Sequence, residues 1–267
     1  MSSRINKVFS DNKKKLVTFV TGGDPDKSTS IKLLDSIIEN GADIIEIGMP
    51  FSDPMADGPT IQLSSNRAIK NGTNLDTIFD ISKSIRKKND DIPIILMGYY
   101  NVILHYGVKT FIKKCSDVGI DGLIIVDLQP EEDSELYKET KSYNIDLIRL
   151  ITPTTNPERI KIITSHASGF LYYVTITGIT GQKSANINEL KNSIKKIRNY
   201  SNLPIVAGFG INNNEQVKEI CKITDGAVVG SSIVKIIENT LSNKNLMVQK
   251  ISNFVKELKN GTDVWIG

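Results

Sequence analysis

The chain has 267 residues, 39% of them hydrophobic, with a formal charge of +3, enough for one large α/β core and with no linker to divide it. Charge is spread through mixtures of Lys, Asp and Glu; the longest basic run, Lys13-Lys14-Lys15, reads as a solvated helix-to-strand junction, and no basic stripe interleaves with aromatics to suit nucleic acid. The N-terminal MSSRINKVFSDNKKK lacks the apolar centre of a signal peptide, no stretch approaches a membrane span, and Cys115 and Cys221 lack CxxC spacing, so a reduced, cytoplasmic protein is expected.

Short β-branched runs recur along the chain. Strands are predicted over LVTFV (16–20), DIIEIG (43–48), IPIILM (92–97), GLIIVD (122–127), DLIRLI (146–151), GFLYYV (169–174), LPIVAG (203–208) and GAVVG (226–230). Amphipathic helical segments lie between them, among them 30–42, 110–120 and 214–223. Strands without strict polar alternation, each followed by a helix, call for a parallel sheet covered by helices. Eight such units predict a single (β/α)₈ barrel over 1–267, with an extra N-terminal helix and short extra helices in the loops after strands 2 and 8. A doubly wound open sheet is the alternative, but the turn after the first strand reads TGGDPD and not GxGxxG.

Barrel enzymes work at the C-terminal ends of their strands. Thr21, Glu46, Gly48, Asp57, Tyr99, Asp127, Thr152, Thr175, Gly208, Gly210, Gly230 and Ser231 emerge there. Glu46 interrupts a run of isoleucines, and a carboxylate in apolar surroundings costs several kcal/mol unless paired or neutral. It is either an acid/base with a raised pKa or a glutamate turned outward toward a lysine. Asp57 follows in a loop stiffened by Pro50, Pro54 and Pro59, and reads as a placed carboxylate or as an Asp-Gly turn.

GFGIN (208–212) and GAVVGSSIV (226–234) put glycines at strand ends ahead of helix starts. Loops 7 and 8 of a barrel bind phosphate in this way, although plain left-handed turns would look the same. TGITGQKSAN (177–186) reads as a loop able to fold over a ligand. No lysine stands at a strand end to form a Schiff base, and His105 and His166 read as surface or helix-end residues, too few for a zinc site. Acid/base chemistry by carboxylates on a small phosphate ester remains.

Several segments together, TGGDP (21–25), EIGMPFSDPMADGPTIQ (46–62), LMGYYN (96–101), GIDGLIIVDLQPEE (119–132), TPTTNPERI (152–160), YYVTITGITG (172–181), GFGI (208–211) and VGSSIVK (229–235), closely resemble the tryptophan synthase alpha-chain family. They run in order along nearly the whole chain, and the PFSDPxADGPxIQ segment is specific to that family. The resemblance implies cofactor-free, metal-free retro-aldol cleavage of indole-3-glycerol phosphate to indole and glyceraldehyde 3-phosphate. It makes Glu46 the catalytic acid/base and Asp57 the second catalytic carboxylate. It sets Phe19, Tyr99, Asp127 and Tyr172 around the indole and its catalytic groups, and Gly181, Gly210, Gly230 and Ser231 at the phosphate.

It further implies a pyridoxal-phosphate beta chain as partner in an αββα assembly, docked on the barrel mouth near an exposed Asp53, Asn101 and Pro130. Two positions depart from the family pattern: Ile176 stands where many members carry arginine, and Gln129 where a second proline is common. Rival readings are a phosphate-binding isomerase or decarboxylase barrel, a non-catalytic regulatory subunit, and a standalone indole-releasing lyase.

Overall fold

A computed structural model describes residues 4–175, 183–208 and 210–264 of the chain. Gly181 and Ile176, with part of the expected closing loop, lie outside the described residues.

Helix α1 (Arg4–Val8) precedes β1 (Lys15–Thr21), α2 (Lys27–Glu39) and β2 (Ile44–Gly48). Helices α3 (Pro59–Lys70) and α4 (Leu75–Arg86) lead to β3 (Ile94–Gly98), then α5 (Tyr100–Tyr106), α6 (Val108–Val118), β4 (Gly122–Ile125) and α7 (Ser134–Ser142). Next come β5 (Asp146–Leu147), β6 (Arg149–Ile151), α8 (Pro157–Ser165), β7 (Leu171–Val174), α9 (Lys183–Arg198) and β8 (Ile205–Gly208). The chain continues through α10 (Asn214–Cys221), β9 (Gly226–Val229), α11 (Ser231–Asn239) and α12 (Lys244–Asn260). Many helix starts are set by a short polar side chain: Asp26, Asn74, Asn156, Asn213 and Asn243 each accept a first-turn N–H.

The strands pair in parallel, in the order β5-β4-β3-β2-β1-β9-β8-β7-β6. β5 and β6 are the two halves of the single strand expected over 146–151, interrupted at Ile148. One half bonds to β4 and the other to β7, so the continuity of the chain through Ile148 closes the barrel. Alternation along the strands then decides which side chains are inside. Val17, Ile44, Ile95, Ile124, Ile148, Val206 and Val228 fill an inner layer, with Phe170 and, from α1, Ile5. Their neighbours Leu16, Ile45, Ile47, Leu96 and Leu123 face the helices.

The interrupted strand leaves a seam. The β4–β5 ladder ends at Leu123↔Leu147, and among the described residues no ladder joins β4 to β6 beyond it. Arg149 of β6 spans this gap: its guanidinium donates to the Leu128 carbonyl at 3.1 Å and pairs with Asp133 just ahead of α7. Both side chains are buried, at 5% and 0% exposure.

Several expectations need correction. Lys15 is not solvated; it lies buried in β1 and pairs with Asp11. Pro130 is not exposed at the mouth but buried in a 3₁₀ turn, Pro130–Glu132, while Asp53 and Asn101 are exposed as expected. Gln129 and Glu131, on either side of it, both accept from Arg159, which ties down the loop where a proline is absent. The extra helix after β2 is the full-length α3, of 12 residues. α5 was not expected at all, since its 7 residues are too few to show a period.

The seam yields a stability test. Asp133→Ala leaves the Arg149 guanidinium buried without its anion and should cost about 3–5 kcal/mol in urea unfolding. The double variant Asp133→Ala/Arg149→Met should recover much of that loss.

Candidate active site

Alternation that puts Ile44 in the inner layer puts Glu46, two residues on, inside the barrel as well, directly beside Phe19 in the β1–β2 register. The outward-facing reading of Glu46 is therefore excluded. Above the packed layer a cavity of about 270 Å³ opens at the C-terminal ends of the strands. Phe19, Glu46, Asp57, Thr152, Tyr172, Gly210, Gly230 and Ser231 line it, so eight of the residues singled out in the sequence share one cavity. Met97, Val126, Leu150, Val174 and Val228 complete it with apolar surface. Sequence reasoning missed these, although counting outward in steps of two from the inner layer would have found several of them.

Two expected residues stand back from the cavity. Tyr99 is buried beside Asp57 in an adjoining recess of about 20 Å³. Asp127 is exposed at the rim and accepts the Tyr100 N–H at 2.8 Å, fixing the start of α5. His105 is exposed on α5, and His166 ends α8, stacked on Tyr137 at 4.6 Å and facing Asp133. Among the described residues no group of three His, Cys, Asp or Glu could hold a metal ion.

Glu46 has 0% exposure, and among the described residues neither of its carboxyl oxygens has a hydrogen-bond partner. Desolvation alone pushes its pKa up to about 8. The carboxyl is thus neutral at pH 7 and holds a proton at the cavity wall. Asp57 is half-buried; desolvation lifts it to about 6, against the stabilising effect of the Tyr99 hydroxyl. The two acids therefore prefer opposite protonation states near neutral pH, the arrangement expected of an acid working beside an ionised carboxylate.

The part of the cavity lined by loops 7 and 8 suits an anion. α11 starts at Ser231 with Gly230 as its N-cap, a residue with no side chain to bond the first turn, so its leading N–H groups are unclaimed by a cap. Ser232 donates to the Ile211 carbonyl at 2.6 Å, which joins loops 7 and 8. Gly210 has φ +68, a left-handed conformation that disfavours any side chain. Gly230 is tight for another reason: a Cβ there would sit 3.1 Å from Phe19 Cβ, and one on Gly48 only 2.6 Å from Phe19 Cζ. These two glycines leave the room that the Phe19 side chain occupies at the strand ends.

Burial of Glu46 has a thermodynamic signature. In the folded chain it keeps its proton up to about 8, whereas the ordinary value is 4.5. Between those values the native state binds more protons than the unfolded one, so this contribution to stability, complete below 4.5, is lost progressively as pH rises to about 8. Glu46→Gln removes the titration. Its stability relative to the parent should rise across that window by on the order of a few kcal/mol, read from urea melts at the two ends.

Comparison with known proteins points to a single family. The family model described as tryptophan synthase alpha chain matches residues 5–263. The tryptophan synthase alpha chain of Geobacter sp. (strain M21) is 44% identical over 261 residues, covering 98% of this chain and 97% of that one. Among solved structures, tryptophan synthase subunit alpha from Legionella pneumophila str. Paris superposes with a TM-score of 0.91 at 32% identity, covering 98% of this chain and 99% of that one. A chain of tryptophan synthase from M. tuberculosis in its aminoacrylate-bound form gives 0.86 at 27% identity, with 98% and 100% covered. With these matches spanning almost its whole length, the chain belongs to the tryptophan synthase alpha chain family.

Proposed function

We propose that this chain is a lyase that splits indole-3-glycerol phosphate into indole and glyceraldehyde 3-phosphate, acting as one barrel domain over residues 1–267 in the cytoplasm. The observation that carries the reading is Glu46, a fully buried, unpartnered carboxyl facing a cavity that also presents Asp57.

The chemistry follows from the two carboxyls. Neutral Glu46 gives its proton to C3 of the indole ring, and positive charge develops on the ring nitrogen. Asp57, ionised, accepts a hydrogen bond from the indole N–H and stabilises that charge. The Glu46 carboxylate then takes the proton of the C3′ hydroxyl. The bond between C3 and C3′ breaks, its electrons return to the ring, and the aldehyde forms. Glu46 ends protonated, ready for another turn, so the cycle needs no outside acid or base. Phe19 and the apolar wall hold the bicyclic ring; Gly210, Gly230, Ser231 and Gly181 take the phosphate through backbone N–H groups and a hydroxyl.

Released indole is small and apolar enough to escape, so a second enzyme that consumes it gains from docking at the mouth. A tryptophan synthase beta chain is the partner that family membership supplies, in an αββα complex. Exposed Asp53, Asn101 and Met55 at the mouth leave surface for it.

Glu46→Gln keeps the shape of the side chain and loses the proton, so turnover measured by indole release should fall roughly 10²-fold or more while the fold survives. A variant with near-parental turnover would sink the assignment. In the parent, kcat/KM should be bell-shaped. It falls below about 6 as Asp57 is protonated and above about 8 as Glu46 loses its proton. Titrating the chain with its cognate beta chain by calorimetry should show a complex that glycerol phosphate tightens, with higher lyase turnover in the complex. No complex at micromolar concentration would leave a standalone lyase as the better reading.

A further inference from the structure

What holds Asp57 still is not evident from the cavity, because its carboxylate projects from a loop between β2 and α3. The backbone of the loop is pinned: the Asp57 N–H donates to the Pro54 carbonyl at 3.0 Å, and Gln62 Nε2 donates to the Asp57 carbonyl at 2.8 Å. The side chain needs its own anchor. Tyr99 is the residue placed to provide one. It follows β3, is 3% exposed, shares the small recess with Asp57, and its ring lies 5.3 Å from that of Phe51 at the start of the same loop. Its hydroxyl accepts the N–H of Ala56, the residue next to Asp57, at 2.9 Å. With that lone pair engaged, the hydroxyl proton is left free for the neighbouring carboxylate, which the hydroxyl holds down in pKa.

We propose that Tyr99 is a positioning residue for Asp57: its hydroxyl, oriented by the Ala56 N–H, presents a donor to the Asp57 carboxylate and fixes it at the cavity wall. Asp127 belongs to the same device at one remove. By accepting the Tyr100 N–H it sets the start of α5, and with it the direction in which Tyr99 leaves β3. Two residues expected at the substrate thus act through Asp57 instead. The proposal deepens the lyase reading and rests on it for its kinetic arm alone.

The titratable groups around Asp57 among the described residues are Glu46 of β2 and Tyr172 of β7 in the shared cavity, Tyr99 after β3, and Asp127 after β4. Of these only Tyr99 donates to it; its hydroxyl is itself pushed up to about 12 by burial and then by the Asp57 charge, so it keeps its proton throughout the working range.

The test uses the full chain labelled with carbon-13 at aspartate carboxyls, with Asp57→Asn to assign the resonance. In Tyr99→Phe, which keeps the ring, the Asp57 titration should move upward by roughly one pH unit. The acid limb of kcat/KM for indole release should move with it. Phe51→Leu loosens the same loop and keeps the hydroxyl, so the titration should stay in place. In an Asp57→Asn background, Tyr99→Phe should cost little further turnover. An unmoved Asp57 titration in folded Tyr99→Phe, or an equal movement in Phe51→Leu, overturns the proposal. If the titration moves but the parent releases no indole, the positioning role stands and the lyase reading fails.

Discussion

Everything at this site depends on a rule of closed parallel sheets: successive side chains on a strand must face alternately inward and outward. β2 offers Ile44, Ile45, Glu46, Ile47 and Gly48, and the register of the barrel leaves Glu46 no outward option. To turn it out would expose the two neighbouring isoleucines to the interior cavity and Ile44 to the helix layer. The carboxyl is held in a dry place by the burial of its neighbours. Its raised pKa is the electrostatic expression of that hydrophobic packing.

Asp57 lives under different rules. It belongs to a loop, and its position is inherited from the elements that frame the loop. On one side Tyr99 reaches it from β3. On the other, α3 begins with Gly58 as N-cap and Pro59 in its first turn, so the helix starts just past the carboxylate. α3 is itself anchored to the turn after β1. Arg67 donates to both oxygens of the buried Asp24, at 2.9 and 2.8 Å, and Ser64 meets Thr21 in a buried hydroxyl contact. One carboxyl is fixed by sheet geometry and the loop that carries the other by a set of polar ties. That difference fits a Glu46 carboxyl with no hydrogen-bond partner among the described residues and an Asp57 carboxyl set beside the Tyr99 hydroxyl.

The sequence was legible where a single period governed it. Eight β-branched runs marked the barrel, and the glutamate inside one of them pointed to the cavity it lines. The fifth run looked continuous because DLIRLI carries no glycine or proline; only the pairing of its halves with different neighbours reveals the break at Ile148. Lys15 was misread because a lysine at a strand start looks solvated until Asp11 is seen beside it. Tyr99 and Asp127 were expected around the substrate, but residue type cannot tell a side chain on the cavity wall from one set back behind it. The apolar wall was passed over because Met97, Leu150 and Val174 look like any core residue. The Phe19 packing at Gly48 and Gly230 was equally hidden, since a strand-end glycine signals a close approach without naming what approaches.

The seam bridged by Arg149 bears on the dielectric of the whole interior. A fully laddered barrel excludes water along its entire circumference; this one depends on a guanidinium, one carboxylate and a backbone carbonyl to close the interval between β4 and β6. Leu150, the neighbour of Arg149 in β6, lies on the cavity wall that also includes Glu46. Water entering between the strands would reach that cavity from the side, raise the local polarity and let the Glu46 proton escape toward its ordinary value. An ion pair that braces the seam of the barrel thus stands one residue away from the wall of the cavity that keeps Glu46 dry.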